Sequence, residues 1–173
     1  MEHLLQVYTG DGKGKTTASM GAVLRMVGHN GKVFLVQFMK SDNSGELAPL
    51  KKLGVNIYPA PQINKFTYQM NEDELKQASA DMQNAINGMI EAINGFKPSL
   101  SVFDELCVAV GLKLIEEEQA LKLIDAALKY GECIVTGRYA PASFIEKADY
   151  VSEIKAVKHP FNEGIQAREG IEW

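Results

Sequence analysis

The chain has 173 residues, 46% of them hydrophobic and 23% charged, enough to close one core and too apolar for a disordered protein. Its formal charge of −4 offers no basic surplus against phosphates, so nucleic acid is not an expected partner. No apolar stretch approaches the ~20 residues that cross a bilayer, and Met1-Glu2-His3 lacks the basic start and apolar run of a signal peptide. A cytoplasmic protein with no membrane partner is expected.

Short apolar runs alternate with helical patterns along the chain, the signature of a parallel α/β sheet. Leu4 to Tyr8 reads as the first strand and ends in the glycine-rich Thr9-Gly10-Asp11-Gly12-Lys13-Gly14-Lys15-Thr16. A helix follows, with Met20, Val23, Leu24 and Val27 at i, i+3, i+4 and i+7 and Gly28 at its end. Val33 to Phe38 is a near-continuous apolar strand of the kind buried on both faces. Val55 to Tyr58 reads as a third, shorter strand. Residues 59–72 carry two prolines, Phe66 and Tyr68 without periodicity, a length that marks a functional loop.

Asn71 with Glu74 forms a capping-box pattern that opens a long helix. Its buried stripe is Leu75, Ala78, Met82, Ile86, Met89 and Ile93. Leu100 to Phe103 is a fourth strand leading into Asp104-Glu105. Glu116 to Tyr130 is a helix closed by Gly131, and Cys133 to Val135 is a fifth strand ending in Thr136-Gly137-Arg138. A helix after Pro141 and a strand at Tyr150-Val151 precede a polar tail from Lys155 to Trp173. Cys107 and Cys133 lie far apart among apolar neighbours and read as buried free thiols. With no repeat and no internal linker, residues 1–173 read as a single domain.

In open parallel sheets, ligands bind beyond the carboxyl ends of the strands. Three polar strand exits are expected at that edge: the glycine loop, Asp104-Glu105 and Thr136-Gly137-Arg138. The glycines let successive N–H groups face an anion, and the following helix adds the positive end of its dipole. In such a loop Lys15 reaches the outer phosphates and the Thr16 hydroxyl binds Mg²⁺. The strict Gly-x4-Gly-Lys-Thr pattern is displaced, since Thr9 holds its first position and the glycine comes at Gly10. Asp104-Glu105 after an apolar strand resembles an element that holds the cation through a carboxylate. Arg138 suits neutralisation of charge on a leaving polyphosphate.

These residues resemble the P-loop ATP:corrinoid adenosyltransferases nearly end to end. The likeness runs from Thr9 through Ala18, with the shifted first glycine. It continues through Arg25-Met26-Val27-Gly28-His29, Val36 to Lys40, Asp104-Glu105-Leu106, Thr136-Gly137-Arg138 and Ala148-Asp149. Its most distinctive part is the tail, Lys158-His159-Pro160-Phe161, Gly164 to Ala167 and Gly170-Ile171-Glu172-Trp173.

The resemblance implies a three-layer α/β/α P-loop NTPase (RecA-like) fold with a mostly parallel central sheet. It implies ATP on the glycine loop, with Thr9, Gly10, Asp11, Gly12, Lys13, Gly14, Lys15, Thr16, Thr17, Arg25, Phe66 and Tyr68 in the binding set. Mg²⁺ is implied at Thr16, Asp104 and Glu105, and Lys15, Glu105 and Arg138 are the implied catalytic residues. Co(I) of a corrinoid then attacks the 5′ carbon of the ATP ribose and triphosphate leaves. Phe66 and Tyr68 fall where the family carries an aromatic pair acting on the corrinoid's lower axial ligand, with Tyr68 in place of the expected tryptophan. The chain begins at its first strand and is expected to lack the N-terminal arm that some members fold over the corrinoid. A flavoprotein reductant and a homodimer are further expectations. Two other readings stay open: an ATPase or kinase acting at the γ-phosphate with Glu105 as base, and a module that binds without turnover.

Overall fold

The computed structural model describes residues 2–39, 44–61 and 69–172. Six strands, β1 (Leu5–Thr9), β2 (Val33–Gln37), β3 (Asn56–Tyr58), β4 (Leu100–Asp104), β5 (Glu132–Thr136) and β6 (Tyr150–Glu153), form one sheet in the order β3-β2-β4-β5-β1-β6. Every pairing is parallel, where the sequence suggested mostly parallel. The helices are α1 (Lys15–Gly28), α2 (Leu47–Lys52), α3 (Glu72–Phe96), α4 (Leu106–Gly111), α5 (Glu117–Leu128) and α6 (Ala142–Lys147).

Pleating divides the core. Phe34, Val36, Phe103 and Val135 face one side, where they meet Met82, Ile86, Met89 and Ile93 of α3, together with α5 and Phe144 of α6. Val33, Leu35, Val102 and Ile134 face the other, against Met20 and Val23 of α1 and Leu50 of α2. Alternate residues of one strand therefore serve two helical layers. The result is the three-layer α/β/α arrangement of a P-loop NTPase fold. Each fully buried aliphatic contributes roughly 1.5–3 kcal/mol of burial.

Local signals decide the helix ends. Asn71 Oδ1 accepts the Glu74 N–H at 2.9 Å and the Glu74 carboxylate accepts the Asn71 N–H at 3.0 Å, completing the capping box. Of the expected stripe on α3, Met82, Ile86, Met89 and Ile93 are fully buried, while Leu75 and Ala78 are half-buried toward its start. On α1 the buried positions are Lys15, Ser19, Met20 and Val23. Leu24, expected on that stripe, is 52% exposed, because the inward face is set by Lys15 and Ser19 under the glycine loop. The helices α2 and α4, six residues each, are too short to show a period.

Cys107 and Cys133 are free and buried. Burial pushes the Cys107 thiol up to about 12 and raises Cys133 as well, so neither holds appreciable thiolate. No described helix is long and apolar enough to cross a membrane. In mildly alkaline solution a thiol-reactive disulfide reagent should leave the native protein unlabelled and modify two cysteines per chain after denaturation. Fast labelling of the native protein would contradict the packing.

Candidate active site

At the carboxyl edge of the sheet, β1, β4 and β5 release their chains toward one crevice of about 1090 Å³. Asp104, the last residue of β4, is fully buried behind Thr16, which lines the crevice. Its Oδ1 accepts the Thr136 hydroxyl at 2.6 Å and the Thr16 hydroxyl at 2.9 Å, and its Oδ2 accepts the Gln37 amide at 3.2 Å. A buried carboxylate needs such donors, since desolvation alone costs several kcal/mol. The donors come from the ends of β5 and β2 and from the first turn of α1, so one side chain fixes the relative position of three elements.

The neighbouring Glu105 turns the chain out of the strand with φ 63°, a left-handed conformation that costs about 1–3 kcal/mol in a non-glycine residue. Its N–H donates to Thr136 Oγ1 at 3.0 Å, so the same threonine holds both acidic residues in place.

The glycine loop rests on the chain leaving β6. Gly12 donates its N–H to the Ile154 carbonyl at 2.7 Å. A Cβ at Gly10 would stand 2.5 Å from Ile154 O, and one at Gly12 2.7 Å from Lys155 O. These two glycines are therefore required by backbone packing beneath the loop. Gly14, at φ 125°, faces open space and leaves the start of α1 unobstructed. The buried Lys15 folds back over the loop, its Nζ donating to Gly10 O at 2.6 Å and Gly12 O at 2.9 Å. Burial pulls the Lys15 ammonium below the usual lysine value, and the Glu105 carboxylate opposes that shift. An incoming anion would find a partly desolvated cation beside the helix N-terminus.

Arg138, half-exposed, reaches the loop from β5: its Nη2 donates to the Asp11 carbonyl at 3.5 Å, and its Nε stands 4.0 Å from Asp11 Oδ1. Asp11 thus partners the arginine. The far wall is the C-terminal tail, with His159, Gly170, Ile171 and Glu172 lining the crevice. Arg168 donates to both Glu172 carboxylate oxygens at 3.1 and 3.2 Å. Together with the more distant Lys13 of the glycine loop, it holds the Glu172 carboxyl below the usual carboxylate range.

With a glycine loop, buried carboxylate and arginine around one crevice, comparison with known proteins becomes decisive. The family model for ATP:corrinoid adenosyltransferase BtuR/CobO/CobP matches residues 1–173. The chain belongs to that family. A corrinoid adenosyltransferase of Pseudomonas aeruginosa is 33% identical over 171 residues, spanning 98% of this chain and 83% of its own. The corrinoid adenosyltransferases of Salmonella typhimurium and Escherichia coli are each 31% identical over 171 residues, covering 98% of this chain and 85% of theirs.

The adenosyltransferase crevice gathers most, though not all, of the residues singled out by sequence. Asp11 to Thr17, Glu105 and Arg138 line it. Thr9 ends β1, and its hydroxyl accepts the Ala140 N–H at 3.4 Å; Gly10 lies beneath the loop against Ile154. Arg25 is not brought to the crevice. Ten residues beyond Lys15 on α1, about 15 Å along the axis, it borders a separate hollow with Gln6, His29 and Glu132. Phe66 and Tyr68 lie outside the described residues. Sequence reasoning missed Met39, Glu46 and the tail as walls of the site, and Gln37 as a partner of Asp104. The tail's likeness to the family was the available signal, but it carried no chemistry.

Thr136→Val should preserve shape while removing one donor to Asp104 and the side-chain acceptor of the Glu105 N–H. The expected loss is about 2–4 kcal/mol of stability by urea unfolding; an unchanged midpoint would contradict the hydrogen-bonding role.

Proposed function

We propose that this chain transfers the 5′-deoxyadenosyl group of ATP to the Co(I) of a corrinoid, using the crevice just described. The observation that carries the residue assignment is the meeting of Lys15, Thr16, Asp104, Glu105 and Arg138 at one sheet edge, in a chain that matches the adenosyltransferase family over its whole length. In the transfer, the cobalt electron pair forms a Co–C5′ bond and the C5′–O bond of ATP breaks. The cobalt becomes formally Co(III), and triphosphate departs with the other electron pair. Co(I) is itself the nucleophile, so no general base is required; the protein's contribution is alignment and charge stabilisation.

The residues fit that task. The N–H groups from Lys13 to Thr17 and the Lys15 ammonium receive the triphosphate, and phosphate oxygens replace the Gly10 and Gly12 carbonyls as partners of Lys15. Arg138 leaves Asp11 to meet charge developing on the leaving group.

The donor chemistry also fits a hard divalent cation. Thr16 Oγ1 and Asp104 Oδ1 lie 2.9 Å apart and are both oxygen donors. No group of three or more His, Cys, Asp or Glu side chains capable of holding a metal occurs among the described residues. Phosphate oxygens and water would complete the shell, the habit of Mg²⁺. Magnesium held by Thr16 and Asp104, with Glu105 alongside, supplies positive charge against the triphosphate. Phe66 and Tyr68 are assigned to the corrinoid side. The same reading includes a flavoprotein that delivers the electron to cobalt, a homodimer and a cytoplasmic location.

Anaerobic incubation with ATP, Mg²⁺ and chemically reduced cobalamin tests the proposal. The expected outcome is the visible spectrum of an alkylcobalt product together with an equal amount of inorganic triphosphate. ADP and phosphate without a cobalt–carbon bond would instead establish γ-phosphate chemistry. Lys15→Ala should lower turnover by at least ~10²-fold and abolish the thermal stabilisation that ATP confers; full activity in that variant would overturn the assignment.

A further inference from the structure

Left-handed backbone is uncommon in any residue but glycine, and under a bulky side chain it is a true outlier. Six such residues occur among those described: Asn30, Met39, Lys97, Glu105, Lys113 and Tyr139. Three have an ordinary cause. Asn30, Lys97 and Lys113 lie at the carboxyl ends of α1, α3 and α4, where helices commonly close in this conformation. The other three, Met39, Glu105 and Tyr139, follow β2, β4 and β5, and all three line the crevice. Residues held in this way gather at ligand sites, because the surrounding structure must override their conformational preference.

Met39 packs against the core, and Glu105 is held by Thr136 beside the proposed cation. Tyr139 has neither explanation. Its side chain is 76% exposed and joins neither core cluster. The backbone around it is nonetheless fixed. Gly137 donates its N–H to the Tyr8 carbonyl at 3.2 Å, and Ala140 donates to the Thr9 hydroxyl at 3.4 Å. Both flanks are thus tied to the end of β1. Between them an aromatic residue keeps a conformation that glycine or asparagine would take more readily. The ring adds nothing to the core, so its use lies in what enters the crevice.

Position along the sheet decides which substrate the ring meets. The loop carrying Phe66 and Tyr68, assigned above to the corrinoid, follows β3 at one end of the sheet. β5 stands three strands away, ~14 Å at ordinary spacing, and adjoins β1, from which the glycine loop springs. We propose that the adenine of ATP stacks on the Tyr139 ring, on the side of the triphosphate away from the corrinoid, and that this contact fixes the ribose whose C5′ is attacked. The proposal rests on the ATP site at residues 13–17 and names the element that receives its base.

Calorimetry with Mg²⁺ and without corrinoid tests it, comparing ATP with inorganic triphosphate, which carries no base. Tyr139→Ala should weaken ATP ~5–100-fold, the usual effect of losing one aromatic–base stack, and leave inorganic triphosphate at the wild-type value. Tyr139→Phe should bind ATP like the wild type, because the ring remains. Tyr139→Asn suits the left-handed backbone, so it should raise the thermal unfolding midpoint while weakening ATP as alanine does. A tyrosine of merely structural use would not separate stability from affinity in that way. Wild-type ATP affinity in Tyr139→Ala, beside loss of both ligands in Lys15→Ala, overturns the proposal and spares the triphosphate site; a raised KM for the corrinoid alone would then give the ring to the other substrate. Equal losses of ATP and triphosphate in Tyr139→Ala also overturn it, since the residue would be acting through the glycine loop. Wild-type protein that binds neither ligand overturns the ATP site itself, and the proposal with it.

Discussion

The structure depends on one buried negative charge. Asp104 sits where β4 ends, and it is tolerated there because hydroxyls from α1 and β5 and an amide from β2 converge on it. Each donor lies on a different element, so the carboxylate acts as a clasp across the sheet edge. It sets the first turn of α1 beside the strand ends, and it lets Thr136 hold the left-handed backbone of Glu105. Removing the charge would loosen both the architecture and the place where a cation is proposed to bind. Stability and function thus draw on the same few hydrogen bonds.

The glycine loop shows a similar double duty. Gly10 and Gly12 are usually explained by what lies above such a loop, an anion approaching the backbone. Here the tighter constraint lies below, in Ile154 and Lys155, whose backbone leaves no room for a Cβ. The loop is therefore propped from beneath by the exit of the edge strand β6. Across the crevice stands the tail, where Glu172 lines the same space as Lys13. The loop lies between a fixed floor and a wall supplied by the end of the chain.

Much of this was legible in the residues. Strand–loop–helix order, apolar runs ending in acids and an arginine, and the rule that sites lie at carboxyl edges placed Lys15, Thr16, Asp104 and Arg138 together. The capping box at Asn71 and the lower stripe of α3 were equally direct, because both signals are local. What escaped was non-local or short. A glutamine at a strand end looks like any polar terminator, and only the fold reveals Gln37 between two carboxylates. The tail has no period, so nothing in it announced a wall. Leu24 lies outside the buried arc of α1 because a helix turns by a fixed amount per residue, and Arg25 borders a separate hollow because it also advances along the axis.

The central claim, that residues 10–17 hold the triphosphate, is tested most directly by amide hydrogen exchange in the presence of ATP and cation but without corrinoid. The account predicts slowed exchange at the N–H groups from Lys13 to Thr17. ATP that binds by calorimetry while exchange in this segment stays at its ligand-free rate would contradict the account.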